Sequence, residues 1–259
     1  MALSTFSTFY YGHSVTTGNL NINFDEGSGE LLAVVVVDSY SATAFAAAIQ
    51  TALNSAGTYT YTVVFDRATR KITIASASGN FSLLAATGTE VATGLWVLMG
   101  FAATDLSAAA TYTGDAVSGS VYSPQFKLQD HISTADWKAA SSATVNKTAS
   151  GRVEVIKFGD EEFMQANIKY ATDIAQPDAI IIKNAASGLT NLRTFMQYAI
   201  EKKPIEYMAD IDTPATFEKM LLESSPGFKN GTGYKLKELY GQGLPGYFET
   251  GSLVLRVIT

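Results

Sequence analysis

The sequence contains no cysteine, which excludes disulfides and thiolate metal centres. Histidine is nearly absent too. His13 and His131 are the only two, and they lack a metal-ligand spacing, so a zinc site would need carboxylates for most of its ligands. Both histidines are expected to be surface or interface residues, and no metal or cofactor is expected. Long apolar runs are also missing. The longest, residues 31–37, falls far short of the roughly 20 residues a membrane-spanning helix requires, so no membrane partner is expected. Residues 1–6 lack a basic segment followed by an apolar one, and a secretory signal is not expected. These absences point to a soluble protein made inside a cell.

Basic side chains are sparse in the first half. Residues 1–120 hold three (Arg67, Arg70 and Lys71) against eight acidic ones, while the remainder is nearly balanced and the whole chain carries −6. Without a basic stripe there is little to displace counterions from phosphates, so nucleic acid, and sequence-specific recognition above all, is not an expected primary ligand.

What is present is core material. Hydrophobic residues make up 47% of the 259 positions against 16% charged, enough for one large domain or two modest ones. Abundant Thr, Ala, Gly, Ser and aromatic residues with only six prolines favour β-rich structure with short turns. Composition shifts near residue 121, and the Gly- and Ser-rich residues 114–124 read as a linker. The fold class expected is α+β in two domains, each a mostly antiparallel sheet or sandwich with one or two packed helices. Residues 1–18 would form an N-terminal arm, 19–121 an accessory module and 122–259 a β-rich domain.

In the module, residues 19–24 alternate polar and apolar as a half-buried strand does, and the apolar run 31–37 suits a strand covered on both faces. Ser41 can cap a helix whose apolar positions Phe45, Ile49, Leu53 and Ala56 follow helical spacing up to Gly57. Residues 59–65 and 71–75 form a hairpin about the turn Asp66-Arg67-Ala68-Thr69, with Ile72 and Ile74 on one face. Residues 81–84 add a strand, and Val91, Leu95, Leu98 and Met99 suggest a second helix.

Downstream, residues 137–148 can be extended or helical. Residues 152–158 and 163–172 read as a hairpin about the turn Gly159-Asp160-Glu161-Glu162, with Met164, Ala166, Ile168 and Tyr170 on one face. A helix at about 188–203 follows, stopped by Pro204, then a strand at 205–208. The last strand, 252–258, is apolar on both faces, which suits the inside of a sheet or an oligomer contact.

Catalytic constellations are not evident. Gly241-Gln242-Gly243-Leu244-Pro245-Gly246 matches GxGxxG formally, but it precedes a strand and contains proline, so it reads as a loop. Asp210-Ile211-Asp212 and Asp160-Glu161-Glu162 lack calcium-loop spacing and read as solvated turns. No nucleophile elbow is present. The aromatic set Phe6, Phe9, Tyr10 and Tyr11 has two readings: it packs back on the chain, or it reaches a neighbouring subunit as an arm.

The run from Ser39-Tyr40-Ser41 through Ala52-Leu53-Asn54, followed by Tyr61-Thr62-Val63, Asp66, Lys71-Ile72-Thr73-Ile74, Phe81-Ser82-Leu83-Leu84, Met99-Gly100-Phe101 and Tyr112-Thr113, resembles a small α+β module of virion proteins in tailed bacteriophages. The second half more loosely resembles tail tube, distal tail and baseplate hub-ring proteins, through its long hairpin, the helix ending in Lys-Lys-Pro and the terminal strand. That resemblance implies a structural subunit of the virion tail, made in the host cytoplasm. It also implies a self-assembling ring, usually hexameric, around the DNA channel, alongside other tail or baseplate proteins. It brings no catalytic residues, and the chain is not expected to be an enzyme.

The expected assembly contacts are Phe6, Phe9, Tyr10 and Tyr11 from the arm, with Asp160, Glu161, Met164 and Ile168 from the hairpin. The alternative is a receptor- or carbohydrate-binding virion protein, with Tyr59, Tyr61, Trp96 or Trp137 stacking on sugars. A third reading, a hydrolase, would need a carboxylate pair such as Glu154 and Glu162 to converge in a pocket.

Overall fold

Two hydrophobic cores meet along one short strand. In the computed structural model, which describes residues 8–124, 131–147, 153–173, 188–209 and 217–258, that strand is β1 (Thr8–Tyr11). Side chains alternate across a strand, so Phe9 and Tyr11 enter one core while Tyr10 enters the other.

The module follows β1. Its elements are β2 (His13–Ser14), β3 (Asn21–Asp25), β4 (Glu30–Val34), β5 (Ser39–Tyr40), α1 (Ala42–Ala56), β6 (Tyr61–Asp66), β7 (Lys71–Ser76), β8 (Phe81–Leu83), α2 (Trp96–Met99), β9 (Leu106–Ala109) and β10 (Thr111–Thr113). They form sheets of order β4-β3-β8-β9 and β10-β7-β6, with a small β2-β5 pair. Ser41 caps α1 as expected, its Oγ accepting from the Ala44 N–H at 3.3 Å. The helix buries Phe45, Ile49, Ala52 and Leu53, each large apolar side chain contributing about 1.5–3 kcal/mol. The β6–β7 hairpin has the expected register, with Ile72 and Ile74 fully buried.

Two expectations exchange places here. The alternating strand β3 is buried on both faces, because it lies between β4 and β8 and its Asn21 and Asn23 side chains bond to Thr93 and to Glu30 and Thr89. The apolar strand β4, expected to be covered on both faces, is instead an edge strand with Leu32 and Val34 exposed. The second helix shrinks to α2, four residues ending at the left-handed Gly100.

The rest of the chain gives β11 (Ser120–Tyr122), β12 (His131–Lys147), β13 (Val153–Lys169), α3 (Leu189–Ile200), β14 (Ile205–Met208), β15 (Glu218–Ser224), β16 (Lys237–Glu238), β17 (Phe248–Glu249) and β18 (Ser252–Val257). Seven strands make one antiparallel sheet of order β11-β1-β14-β15-β18-β13-β12. The terminal strand β18 lies inside this sheet, as its two apolar faces require. The supposed linker holds β11, which pairs with β1. The module is therefore an insertion between two neighbouring strands, entered at Gly12 and left at Gly119. Both glycines have positive φ, and a Cβ on Gly119 would lie 2.5 Å from the His13 ring.

Helix α3 covers one face of this sheet, and the module covers the other at β1 and β14. Ile205 and Tyr207 belong to the α3-side core, while Met208 belongs to the module core. The fold is α+β with several antiparallel sheets. The sheet also curls. Trp137 on β12 lies 6.3 Å from Tyr207 on β14, although three strands separate them; a flat sheet would hold the two strands about 19 Å apart.

Candidate functional site: the long hairpin and the module junction

The most extended feature is the β12–β13 hairpin. Its two strands pair from His131↔Lys169 to Lys147↔Val153, whereas β13 meets β18 only from Phe163↔Arg256 to Asn167↔Ser252. Among the described residues, 153–162 therefore pair with β12 alone, as a two-stranded ribbon about 30 Å long. The expected turn at Gly159-Asp160-Glu161-Glu162 is not one: these residues lie within β13. Gly159 sits at a register shift, where Ser142↔Gly159 is followed by Ala143↔Lys157. Glycine with adjacent acids marks a β-bulge here, which bends a strand without reversing it. Strand β12 ends at Lys147 and β13 begins at Val153; the residues between them lie outside the described set.

The base of the ribbon is tied to the sheet. Met164, Ala166 and Ile168 are buried in the α3-side core. Beside them Arg256 bridges Glu161 at 2.8 Å and Glu223 at 3.1 Å, and stacks over Phe163 at 5.1 Å. Side chains fully buried within their own chain present no surface to a neighbour, so Met164 and Ile168 act as anchors of the hairpin and not as its contact face. Asp160 is exposed and Glu161 half-buried.

The arm residues divide in the same way. Of the two readings, packing back on the chain holds for Phe9, Tyr10 and Tyr11, all buried. Phe9 lies 4.9 Å from Phe195 and 5.0 Å from Tyr207, and Tyr11 lies 5.6 Å from Phe195. Phe6 lies outside the described residues.

Sequence reasoning missed a buried ionic junction where the module meets the sheet. Glu206 is fully buried on β14, its Oε2 3.0 Å from Nη2 of Arg67. Its Oε1 accepts the Thr43 N–H at 2.5 Å in the first turn of α1, where the helix dipole favours an anion. Arg67 also donates to Thr43 Oγ1 at 2.5 Å and covers the Phe217 ring at 3.5 Å. The Tyr10 hydroxyl donates to the Arg67 carbonyl at 3.0 Å. Burial pushes that phenol up to about 12, with Arg67 opposing the shift.

His13, expected at the surface or an interface, is fully buried within its own chain at this junction, between Phe45 and Phe65. Burial lowers its pKa to about 4, against the opposing charge of Glu206 and a weak contact from the Ser118 backbone, and neither ring nitrogen makes a well-formed hydrogen bond. The one sequence signal was a lone Glu206 among the apolar Ile205, Tyr207 and Met208.

The remaining candidates are less convergent. Tyr61 and Trp96 are buried, and Trp137 is exposed. An open groove of about 490 Å³ on α3 is lined by Arg193, Gln197, Tyr198, Glu201 and Tyr234, among others. The GxGxxG segment is a loop with a short 3-10 turn at Tyr240–Gln242. Glu162 is exposed, while the side chains of Glu154 and His131 and the whole of residues 210–212 lie outside the described set. Among the described residues no three His, Asp or Glu side chains gather as a metal site, and no helix is long and apolar enough to cross a membrane. No protein-family model and no curated protein sequence matches the chain.

Proposed function

We propose that the chain is a structural subunit of a bacteriophage tail or baseplate that assembles into a closed ring around the DNA channel, hexameric by the resemblance, with other tail proteins as neighbours and no catalytic role. The supporting observation is the β12–β13 ribbon, which runs past its own sheet and leaves β12 as the outermost of the described strands. Unpaired strand edges are templates for pairing with another chain. In a cyclic assembly the contact is heterologous, so the ribbon of one subunit meets a different surface of the next.

The test is light scattering with electron microscopy on the full chain and on a shortened variant. Replacing residues 142–159 by an Asn-Gly turn joins Ser141 to Asp160, which are already paired, and leaves the anchored base intact. A ring from the full chain and a folded monomer from the shortened one are expected. Rings from both, or only monomer from the full chain even with tail proteins present, overturn the reading.

The receptor- or glycan-binding alternative rests on the α3 groove, where Tyr234 lies beside Arg193 and Gln197. Aromatic faces with adjacent hydrogen-bonding groups suit a sugar. A glycan array showing selective binding that Tyr234→Ala abolishes would favour it.

A further inference from the structure

Helix α1 treats the two strands beside it differently. On one flank it seals the edge of β6: Gln50 Oε1 accepts the Val63 N–H at 3.0 Å, and Asn54 accepts from the Tyr61 N–H at 2.7 Å and donates to its carbonyl at 3.2 Å. Side chains here stand in for a missing strand.

On the other flank lies β4, the edge of its sheet; among the described residues no such seal reaches Leu32 or Val34, and only beyond the strand does a side chain bond this edge, the Tyr40 hydroxyl donating to Val36 O at 2.8 Å. The Val35 N–H bonds to Leu20 O at 2.9 Å. By the alternation of an antiparallel ladder, Leu31, Ala33 and Val35 turn their backbone groups toward β3, while Leu32 and Val34 turn theirs outward. Outward also point apolar side chains, with Leu32 40%, Val34 50% and Val36 72% exposed. Native edge strands are ordinarily protected by lysine, proline or a bulge, and β4 has none of these. Between it and α1 runs an open groove of about 520 Å³, lined by Leu32, Val34 and Val36 on the strand side and by Ala48, Thr51 and Ala56 on the helix side. The small helix residues leave room for another backbone.

Charge decides between occupants. The chain has no Lys or Arg before Arg67, and α1 carries no charge at all. Glu30 and Asp38 bracket the apolar stretch. Hydrogen bonds from the Thr89 N–H and hydroxyl hold the Glu30 carboxyl below the usual range, so it stays anionic. A second copy pairing antiparallel about Val34 would bring the acidic Glu30 end of each stretch toward the Asp38 end of the other, an unfavourable approach of like charges.

We infer that this groove takes an extended segment of another protein, one that alternates apolar side chains and carries Lys or Arg at its ends, added to β4 as an extra strand. Main-chain bonds to Leu32 and Val34 would give affinity, and the valine faces and acidic ends would give selectivity. The inference does not depend on the ring.

The probe is a short synthetic peptide of alternating valine and threonine with lysine ends, titrated into isotope-labelled full chain and followed by amide chemical shifts. Shifts confined to β4 and α1 are expected, with binding about tenfold weaker for a glutamate-ended peptide and the gap narrowing as salt rises. Val34→Lys should weaken the lysine-ended peptide at least as much. Thr62→Lys, on the exposed face of β6, should not, which controls for added charge. Equal binding of both peptides, shifts centred elsewhere or no binding overturns the inference. So does a dimer that Val34→Lys dissociates, which would make the occupant a second copy.

Discussion

Arg67 and Glu206 lie 139 positions apart in sequence and 3.0 Å apart in space, in a buried ion pair between the inserted module and the seven-stranded sheet. Glu206 has no exposure to water and the Arg67 side chain only 12%. Breaking such a pair from one side leaves an uncompensated buried charge, at a cost of roughly 3–5 kcal/mol. Arg67→Met should therefore destabilise the chain by about that much in urea unfolding. Arg67→Met with Glu206→Gln should cost clearly less than the two single changes added together. Additive losses would show that the pair is not coupled.

The buried His13 gives stability a pH dependence of definite sign. Its folded pKa is lowered from 6.5 to about 4 by burial. As pH falls below 6.5 the unfolded chain takes up the proton first, so stability is complete above 6.5 and drains away down to about 4. The full loss is roughly 3 kcal/mol. His13→Leu should flatten this part of the stability–pH curve, leaving only the carboxylate contributions. Denaturant midpoints between pH 4 and 7 for both chains would measure the difference, and parallel curves would sink the idea.

These two residues show where sequence reading reaches and where it stops. Helix α1 and the β6–β7 hairpin were legible because their determinants are local: the Ser41 cap, the spacing of Phe45, Ile49 and Leu53, and the alternation around Ile72 and Ile74. What failed depends on distant pairing. Residues 31–37 have the composition of a central strand, yet only the sheet order makes β4 an edge. Gly159-Asp160-Glu161-Glu162 has turn composition, yet continuous pairing with β12 makes it a bulge. His13 and the segment around β11 were misplaced because nothing near them in sequence reveals that β1 and β11 are adjacent. The aromatics of β1 stand out in the sequence, but their partners lie near residues 122, 195 and 207.

Strand β1 should prove a core element of the fold. Phe9 is buried against Tyr122, Phe195 and Tyr207, and truncating a buried Phe typically costs about 3–5 kcal/mol. Phe9→Ala is expected to lower stability by that amount in the monomer at low concentration, with no oligomer required. A detachable arm would instead give an unchanged unfolding midpoint and a loss visible only in assembly.

The seal on β6 offers a separable test of edge protection. Asn54 makes two hydrogen bonds to the Tyr61 backbone, and Gln50 one to Val63. Each net bond contributes about 1 kcal/mol, and an orphaned amide beneath a helix costs somewhat more. Asn54→Ala should therefore destabilise by about 2 kcal/mol and Gln50→Ala by about 1. Hydrogen exchange at the Tyr61 and Val63 amides should quicken in Asn54→Ala and Gln50→Ala respectively. The Leu32 and Val34 amides, which lack any such cover, should exchange quickly in the unmodified chain already. If they were as protected as Tyr61 and Val63, the edge of β4 would be closed by some other means, and the contrast between the two flanks of α1 would disappear.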